Sequence, residues 1–216
     1  MNETISVNGH ANNHNMKELA MRTKMMIGFA ATALLFVGTA VSAETYSVDP
    51  AHTSLAFSVR HLGLSNVRGH FGEFAGTIVM DKGAIKKADA TMQVKSIDTG
   101  VKQRDDHLRS ADFFDGAKYP VITFKTKSVE KEGNNLVLVA DFAIRGVTNE
   151  VRLPVKLNGP IKDQDGQTRI GLEGKLAINR KDYGINFNAI LETGVALVGE
   201  EVSIEVNIEA VQRDEQ

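Results

Sequence analysis

Short runs in which apolar and polar residues alternate recur along most of this chain, and they constrain its fold more than any other feature. Leu55, Phe57 and Val59 alternate with small or polar neighbours. A period of two is typical of a β-strand with one face buried and the other in water. The segment 62–68 is rich in Gly, Ser and Asn, so we expect it to be irregular and to lead into a second strand over 74–80.

The same alternation predicts strands through the rest of the chain, at 46–48, 88–97, 121–129, 136–144, 151–157, 170–178 and 202–208. Two longer segments, 96–119 and 180–200, break the pattern, and the first is compatible with short helical turns after Gly100. Eight or nine strands without a long helix predict an all-β fold, either a sandwich or an up-and-down barrel. The sequence lacks the cysteine and tryptophan pattern of immunoglobulin domains, which favours a barrel, and eight strands enclose room for one slim ligand.

Residues 1–43 have the composition of a secretory signal peptide. Three basic residues precede an apolar run at 25–41, and a small-residue site predicts cleavage after Ala43. An uncleaved membrane anchor is the alternative, but the run is short for a span and no charged stop-transfer cluster follows it. The polar residues 1–15 are unusual in front of such a signal and leave the start of translation open.

Residues 44–216 are expected to form one domain, periplasmic after export and without a stable membrane span. With the three basic and two acidic residues before position 44 set aside, 22 Lys and Arg remain against 25 Asp and Glu, a net charge of about −3. This balance argues against nucleic acid as a partner. Because the chain contains no cysteine, the domain must be stable without disulfides.

The histidines give little support for catalysis or metal binding. Residues 44–216 contain four, His52, His61, His70 and His107, and none stands in an HxH or HExxH arrangement. No serine lies in a GxSxG motif. We therefore predict no catalytic residue and no metal site.

The densest polar feature is the segment 104–109. It is interpreted either as a solvated helix or loop face, or as a charged rim at the barrel mouth that meets the head group of a ligand. Possible head-group contacts are Arg60, Arg104 and His107.

The aromatic residues could form an ordinary core, but together they supply more bulk than one small barrel readily encloses. We therefore predict that some line an elongated cavity for a long hydrophobic molecule. The candidate ligand-binding residues are Phe57, Val59, His61, Phe71, Phe74, Met92, Phe113, Phe114, Phe124, Phe142, Tyr183 and Phe187. His61 is equally compatible with a hydrogen-bonded core position.

Several separated motifs resemble the YceI-like family of exported, lipocalin-like proteins. They are residues 46–78, 96–124, 142–155 (FAIRGVTNEVRLPV), 176–185 (LAINRKDYGI) and 198–210 (VGEEVSIEVNIEA), in the same order as in the family. The resemblance implies an antiparallel eight-stranded barrel with short helical inserts that holds a polyisoprenoid or a similar lipid. It also implies a periplasmic or secreted protein, commonly a homodimer, with no established catalytic activity.

The leading hypothesis is thus a periplasmic carrier of a polyisoprenoid or an isoprenoid quinone, with no cofactor other than that bound lipid. The alternative is an enzyme or redox accessory that acts on a lipid head group. A third hypothesis is a structural envelope protein whose interior is filled by side chains.

Overall fold

A computed structural model describes residues 1, 43–133, 135–192 and 194–213. The proposed signal peptide therefore lies outside the described residues, except for Met1 and Ala43. The strands are β1 (Glu44–Val48), β2 (Ser54–His61), β3 (Ser65–Phe71), β4 (Phe74–Asp81), β5 (Ala84–Gln93), β6 (Ile97–Asp98), β7 (Val121–Glu132), β8 (Asn135–Ile144), β9 (Val147–Lys162), β10 (Thr168–Asn179) and β11 (Val198–Gln212).

Eight of these strands form a closed antiparallel ring, in the order β1, β4, β5, β7, β8, β9, β10, β11. The ring closes where β1 returns to β11, with Tyr46 opposite Gln212 and Val48 opposite Ala210. Closure leaves no free edge along this part of the sheet, which suits a protein without disulfides. The prediction of an all-β, eight-stranded barrel is confirmed.

The long strand β11 also pairs with β2, over Val198 to Asn207. These residues precede, along β11, the ones that pair with β1. Strands β2, β3 and β6 continue the sheet beside one end of the barrel. The expectation that 62–68 is irregular was wrong, because β3 begins at Ser65 and only a tight turn precedes it. Leu62 and Gly63 take left-handed backbone conformations there, with φ of 54° and 69°. Pairing with β2 satisfies the backbone of β3 despite its composition.

The first irregular segment contains one short helix, α1 (Lys102–Arg109), and a single 3₁₀ turn precedes β6. The second begins with a 3₁₀ turn, Arg180–Tyr183, and continues as a loop to β11. Both segments lie at the same end of the barrel, which we call the insert end. Within the described ranges, no helix is long and apolar enough to cross a membrane.

The opposite end of the barrel, here called the closed end, is filled by side chains. Tyr46, Ile78, Met80, Leu138 and Leu172 are each at most 2% exposed and pack together there. A second cluster, rich in aromatic rings, lies toward the insert end. The interior between these two clusters is where the candidate site lies.

Candidate functional site

The barrel encloses a cavity of about 360 Å³. Its walls are the inward faces of the strands, and their side chains are almost all aliphatic or aromatic. The cavity extends from Ile78, Leu138 and Leu172 at the closed end to Phe113 and Phe187 at the insert end. Because inward residues recur every second position along each strand, the sequence alternation itself builds this lining.

The insert end of the cavity is bordered by a chain of aromatic rings. Phe57 on β2 lies 5.9 Å from Phe71 on β3, measured between ring centroids, and Phe71 lies 6.1 Å from Phe114. Phe113 and Phe187, one from each irregular segment, are 4.8 Å apart. The two segments thus meet over the cavity through ring contacts, which contribute stability beyond the area they bury.

Helix α1 presents one face to the cavity. Arg104, His107 and Leu108 line it, as the spacing i, i+3 and i+4 requires. The helix is tied to the chain before it by the buried carboxylate of Asp105, which accepts hydrogen bonds from the Thr99 backbone N–H at 2.9 Å and the Thr99 hydroxyl at 2.5 Å. Arg104 Nε donates to the same hydroxyl at 2.8 Å. The segment 104–109 is therefore both an anchored helix and a rim of the cavity.

His107 is held in place at this rim. Its Nε2 lies 2.9 Å from Asp112 Oδ2. The rings of Phe113 and Phe187 meet the imidazole edge to face at 5.0 and 4.9 Å. Because a carboxylate only accepts, Nε2–H donates this bond, and Nδ1 of the neutral ring is left at the entrance to an apolar cavity as an acceptor for a hydrogen bond from one end of a ligand.

Arg180 is a lining residue that the sequence reasoning missed. It is 4% exposed, and its guanidinium donates to the backbone oxygens of Ile185 at 2.6 Å, Gly199 at 2.8 Å and Val198 at 3.3 Å. Burial lowers the pKa of Arg180 from its ordinary value. The signal was present in the sequence, since Arg180 follows the inward positions Leu176 and Ile178 at the same two-residue interval.

The structure brings most of the candidate residues together. Eleven of the twelve candidate ligand-binding residues line the cavity, namely Phe57, Val59, His61, Phe71, Met92, Phe113, Phe114, Phe124, Phe142, Tyr183 and Phe187. Phe74 instead packs against the aromatic cluster from outside the lining. The possible head-group contacts Arg60, Arg104 and His107 also border the cavity. Their role in binding a ligand stays a prediction.

Apart from Val59, the aliphatic part of the lining was missed, because the sequence reasoning gave weight to aromatic residues. Strands β10 and β11, where the alternating pattern was visible, contribute Leu176, Ile178, Ile204, Val206 and Ile208. They carry no distinctive chemistry, so only their inward register identifies them.

One grouping of possible metal ligands lies elsewhere, near the closed end. Ligand atoms of Asp49, His52 and Glu209 lie within 4.8 Å of one another. Arg169 Nη1 already bonds to Asp49 Oδ2 at 2.9 Å and to Glu209 Oε1 at 2.6 Å. Its Nε bonds to Asp163 at 2.6 Å. Because one guanidinium occupies these carboxylates, the grouping is an ion-pair network that joins β10 and β11 to the turn after β1.

The comparisons with known proteins match this fold. Residues 46–210 match the model of the YceI-like domain. Protein YceI of Escherichia coli O17:K52:H18 is 37% identical over 195 residues, which cover 88% of this chain and 98% of that protein. BcnA of Burkholderia cenocepacia is 23% identical, with a TM-score of 0.66 over 75% of this chain and 98% of that one. A polyisoprenoid binding domain from Saccharophagus degradans is 18% identical, with a TM-score of 0.56 over 78% of this chain and 98% of that domain.

Proposed function

Since the chain belongs to the YceI-like family, we propose that it binds one long hydrophobic molecule, a polyisoprenoid or an isoprenoid quinone, inside its barrel and carries it in the periplasm. The observation that carries this proposal is the apolar cavity of about 360 Å³ along the barrel. That volume lies within the usual range for small-molecule sites, roughly 300–1,000 Å³. The name of the related Saccharophagus degradans domain points to the same class of ligand.

The energetics favour a ligand that is mostly hydrocarbon. Each buried CH₂ group contributes about 0.8 kcal/mol, so a dozen buried carbons outweigh the cost of ordering the chain by several kcal/mol. The polar groups at the insert end, Arg104, His107 and Arg180, are then needed only to orient the head of the molecule. Such a site binds and releases its ligand without chemical change.

The test is to identify what the protein carries. Protein purified without detergent from its native host is extracted with organic solvent, and the extract is analysed by mass spectrometry. We expect an isoprenoid lipid in a fixed ratio to protein, and we expect delipidated protein to take up an added isoprenoid quinone. Reproducible absence of any lipid, together with no uptake of quinone, would contradict the proposal.

Location and assembly are part of the same proposal. The composition of residues 1–43 supports export, and the expected mature chain begins at Glu44. Intact-mass measurement of the periplasmic fraction tests this expectation, and an unprocessed chain retained in the membrane would contradict it. The family resemblance supports a homodimer, which light scattering coupled to size-exclusion chromatography tests.

A further inference from the structure

Exposed apolar side chains gather at the insert end of the barrel. Leu64 is 81% exposed and Ile190 is 75% exposed, and Leu191 and Val195 are also exposed. Leu64 lies in the turn between β2 and β3, whereas the other three lie in the loop that precedes β11. We call these four side chains the apolar patch.

The two parts of the patch lie side by side. The backbone N–H of Leu62, in the β2–β3 turn, donates to the backbone oxygen of Leu197 at 3.0 Å. Within the second loop, Leu197 N–H donates to Ala189 O at 2.8 Å and Leu191 N–H donates to Val195 O at 3.0 Å. The loop is thus a small hairpin fixed to the tip of β2–β3.

The patch also adjoins the entrance to the cavity. Leu197, whose backbone oxygen accepts the linking hydrogen bond, and His61, the residue before its donor, both line the cavity. A ligand that enters between the inserts therefore passes beside the exposed apolar side chains. Exposed apolar surface beside a cavity is typical of a contact site rather than of ordinary protein surface.

The β2–β3 side of the patch carries positive charge and no negative charge. Residues 54–72 contain no Asp or Glu, and the exposed side chain of Arg68 lies on the outer face of the β2–β3 hairpin. Arg60 is also exposed, and it lies where that face meets the border of the cavity. In the part of the chain that the structure describes, neither arginine forms an ion pair. The second loop carries one acidic residue, Glu192. Apolar side chains flanked by unpaired arginines match the interface of an anionic bilayer.

We propose that the apolar patch docks on the surface of an anionic phospholipid bilayer and turns the cavity entrance toward the membrane. Leu64 and Ile190 enter the interface, while Arg60 and Arg68 meet the lipid phosphates. A long hydrophobic ligand then passes between bilayer and barrel without crossing water. The transfer of a ligand rests on the proposed function, whereas docking concerns a different surface and is tested separately.

The test measures partition of the protein onto vesicles. The chain is expressed from its full sequence, recovered from the soluble fraction with its N-terminus read by intact mass, and floated with phosphatidylcholine vesicles with or without phosphatidylglycerol. The double variant Leu64→Ser with Ile190→Ser should bind both kinds of vesicle about fivefold less. Arg68→Gln should lose about fivefold in binding only when phosphatidylglycerol is present, because that loss is electrostatic.

Two control variants come from the closed end. Ile161→Ser removes an apolar side chain that is 64% exposed, and Lys162→Gln removes an exposed positive charge. Both should leave vesicle binding unchanged, and all variants should keep the melting temperature of the parent protein. Equal losses in the patch variants and in the controls would overturn the proposal, as would the absence of parent protein from both kinds of vesicle.

The oligomeric state and the lipid content of the same samples separate the remaining outcomes. A double variant that dissociates a dimer while still binding vesicles like the parent protein would assign the patch to a second copy of this chain and overturn membrane docking. Protein that carries an isoprenoid lipid but does not bind vesicles overturns docking alone. Protein that binds vesicles through the patch but carries no lipid supports docking and contradicts the proposed function.

Discussion

At Gly69 the absence of a side chain is what allows the aromatic lining to pack. Gly69 lies on β3 opposite Phe57, and a Cβ at this position would lie 2.5 Å from the Phe57 ring and 2.9 Å from the backbone oxygen of Asp98. We expect Gly69→Ala to lower the free energy of unfolding by about 1–3 kcal/mol, because the ring and strand β6 must both move.

The matched control for this substitution is Gly72→Ala, in the turn that follows β3. The nearest atom to a Cβ there is the backbone oxygen of Ser96 at 3.8 Å, which is ordinary van der Waals contact. Urea unfolding of both variants provides the measurement. Similar losses of stability at the two positions would show that close packing around Gly69 is not the cause.

The carboxylate of Asp49 makes stability depend on acid pH. Hydrogen bonds from the His52 ring and from Arg169 lower the pKa of Asp49 from 3.8 to about 2. A lowered pKa stabilises the folded state at pH values above about 4, and this contribution is lost as the pH falls through 2. Asp49→Asn should therefore be less stable than the parent protein at neutral pH, and the difference should shrink toward pH 2.

Thermal unfolding between pH 7 and pH 2 measures this difference. Asp165→Asn, an exposed carboxylate in the nearby turn between β9 and β10, is the control and should change little at any pH. If the loss caused by Asp49→Asn stayed constant across the acid range, the pH dependence would have another origin.

Single residues also show where the sequence was informative. The alternation placed Phe57 and Val59 on the inner face, and both line the cavity. The same rule identifies Arg180 as an inward-facing residue. It was overlooked because a charged side chain is expected at the surface and not inside a barrel. Phe74 shows the opposite problem, since its register indicates an inward direction, but its ring packs against the aromatic cluster without lining the cavity.

Among the secondary-structure elements, α1 is positioned by one buried carboxylate. Replacing Asp105 by Ala leaves the Thr99 N–H without its partner, at a local cost of about 1–3 kcal/mol. We expect faster hydrogen–deuterium exchange in Lys102–Arg109, with unchanged exchange in β8 and β9. Asp106→Ala is the control, because that exposed carboxylate bonds only to the surface cations Lys102 and Arg109 and such pairs contribute little. If the exchange rate of α1 were the same in the Asp105 and Asp106 variants, Asp105 would not be what anchors the helix.

The elements differ in how far the sequence predicts them. Long strands such as β8 and β11 are read directly from their period of two. Strand β3 was missed because its composition resembles a loop, and only pairing with β2 makes it a strand. Helix α1 was expected as short helical turns, but its attachment depends on Asp105 meeting Thr99, which periodicity does not reveal.

For the whole molecule, regular strand spacing and the lack of cysteine were sufficient to favour a barrel. The family resemblance added that the barrel is antiparallel and has eight strands. The cavity was harder to predict, because an apolar interior can be filled or hollow at the same strand count. The difference depends on side-chain volumes in three dimensions. Here the closed end is filled by Tyr46, Met80 and Leu138, whereas the interior nearer the insert end keeps about 360 Å³.

One substitution can fill part of that open volume. Ala90 on β5 lines the cavity, between the inward residues Ala88 and Met92, so Ala90→Phe should place a ring in the space proposed for the lipid. We expect the amount of lipid extracted per protein, and the uptake of an added isoprenoid quinone, to fall severalfold, since a close-packed interior leaves the ligand no alternative space.

Thr91→Phe adds the same ring to the outer face of the same strand, where Thr91 is exposed, and should keep both quantities. Circular dichroism and melting temperature confirm that each variant is folded. If folded Ala90→Phe protein retained as much lipid as Thr91→Phe protein, the ligand would have to bind outside the barrel interior.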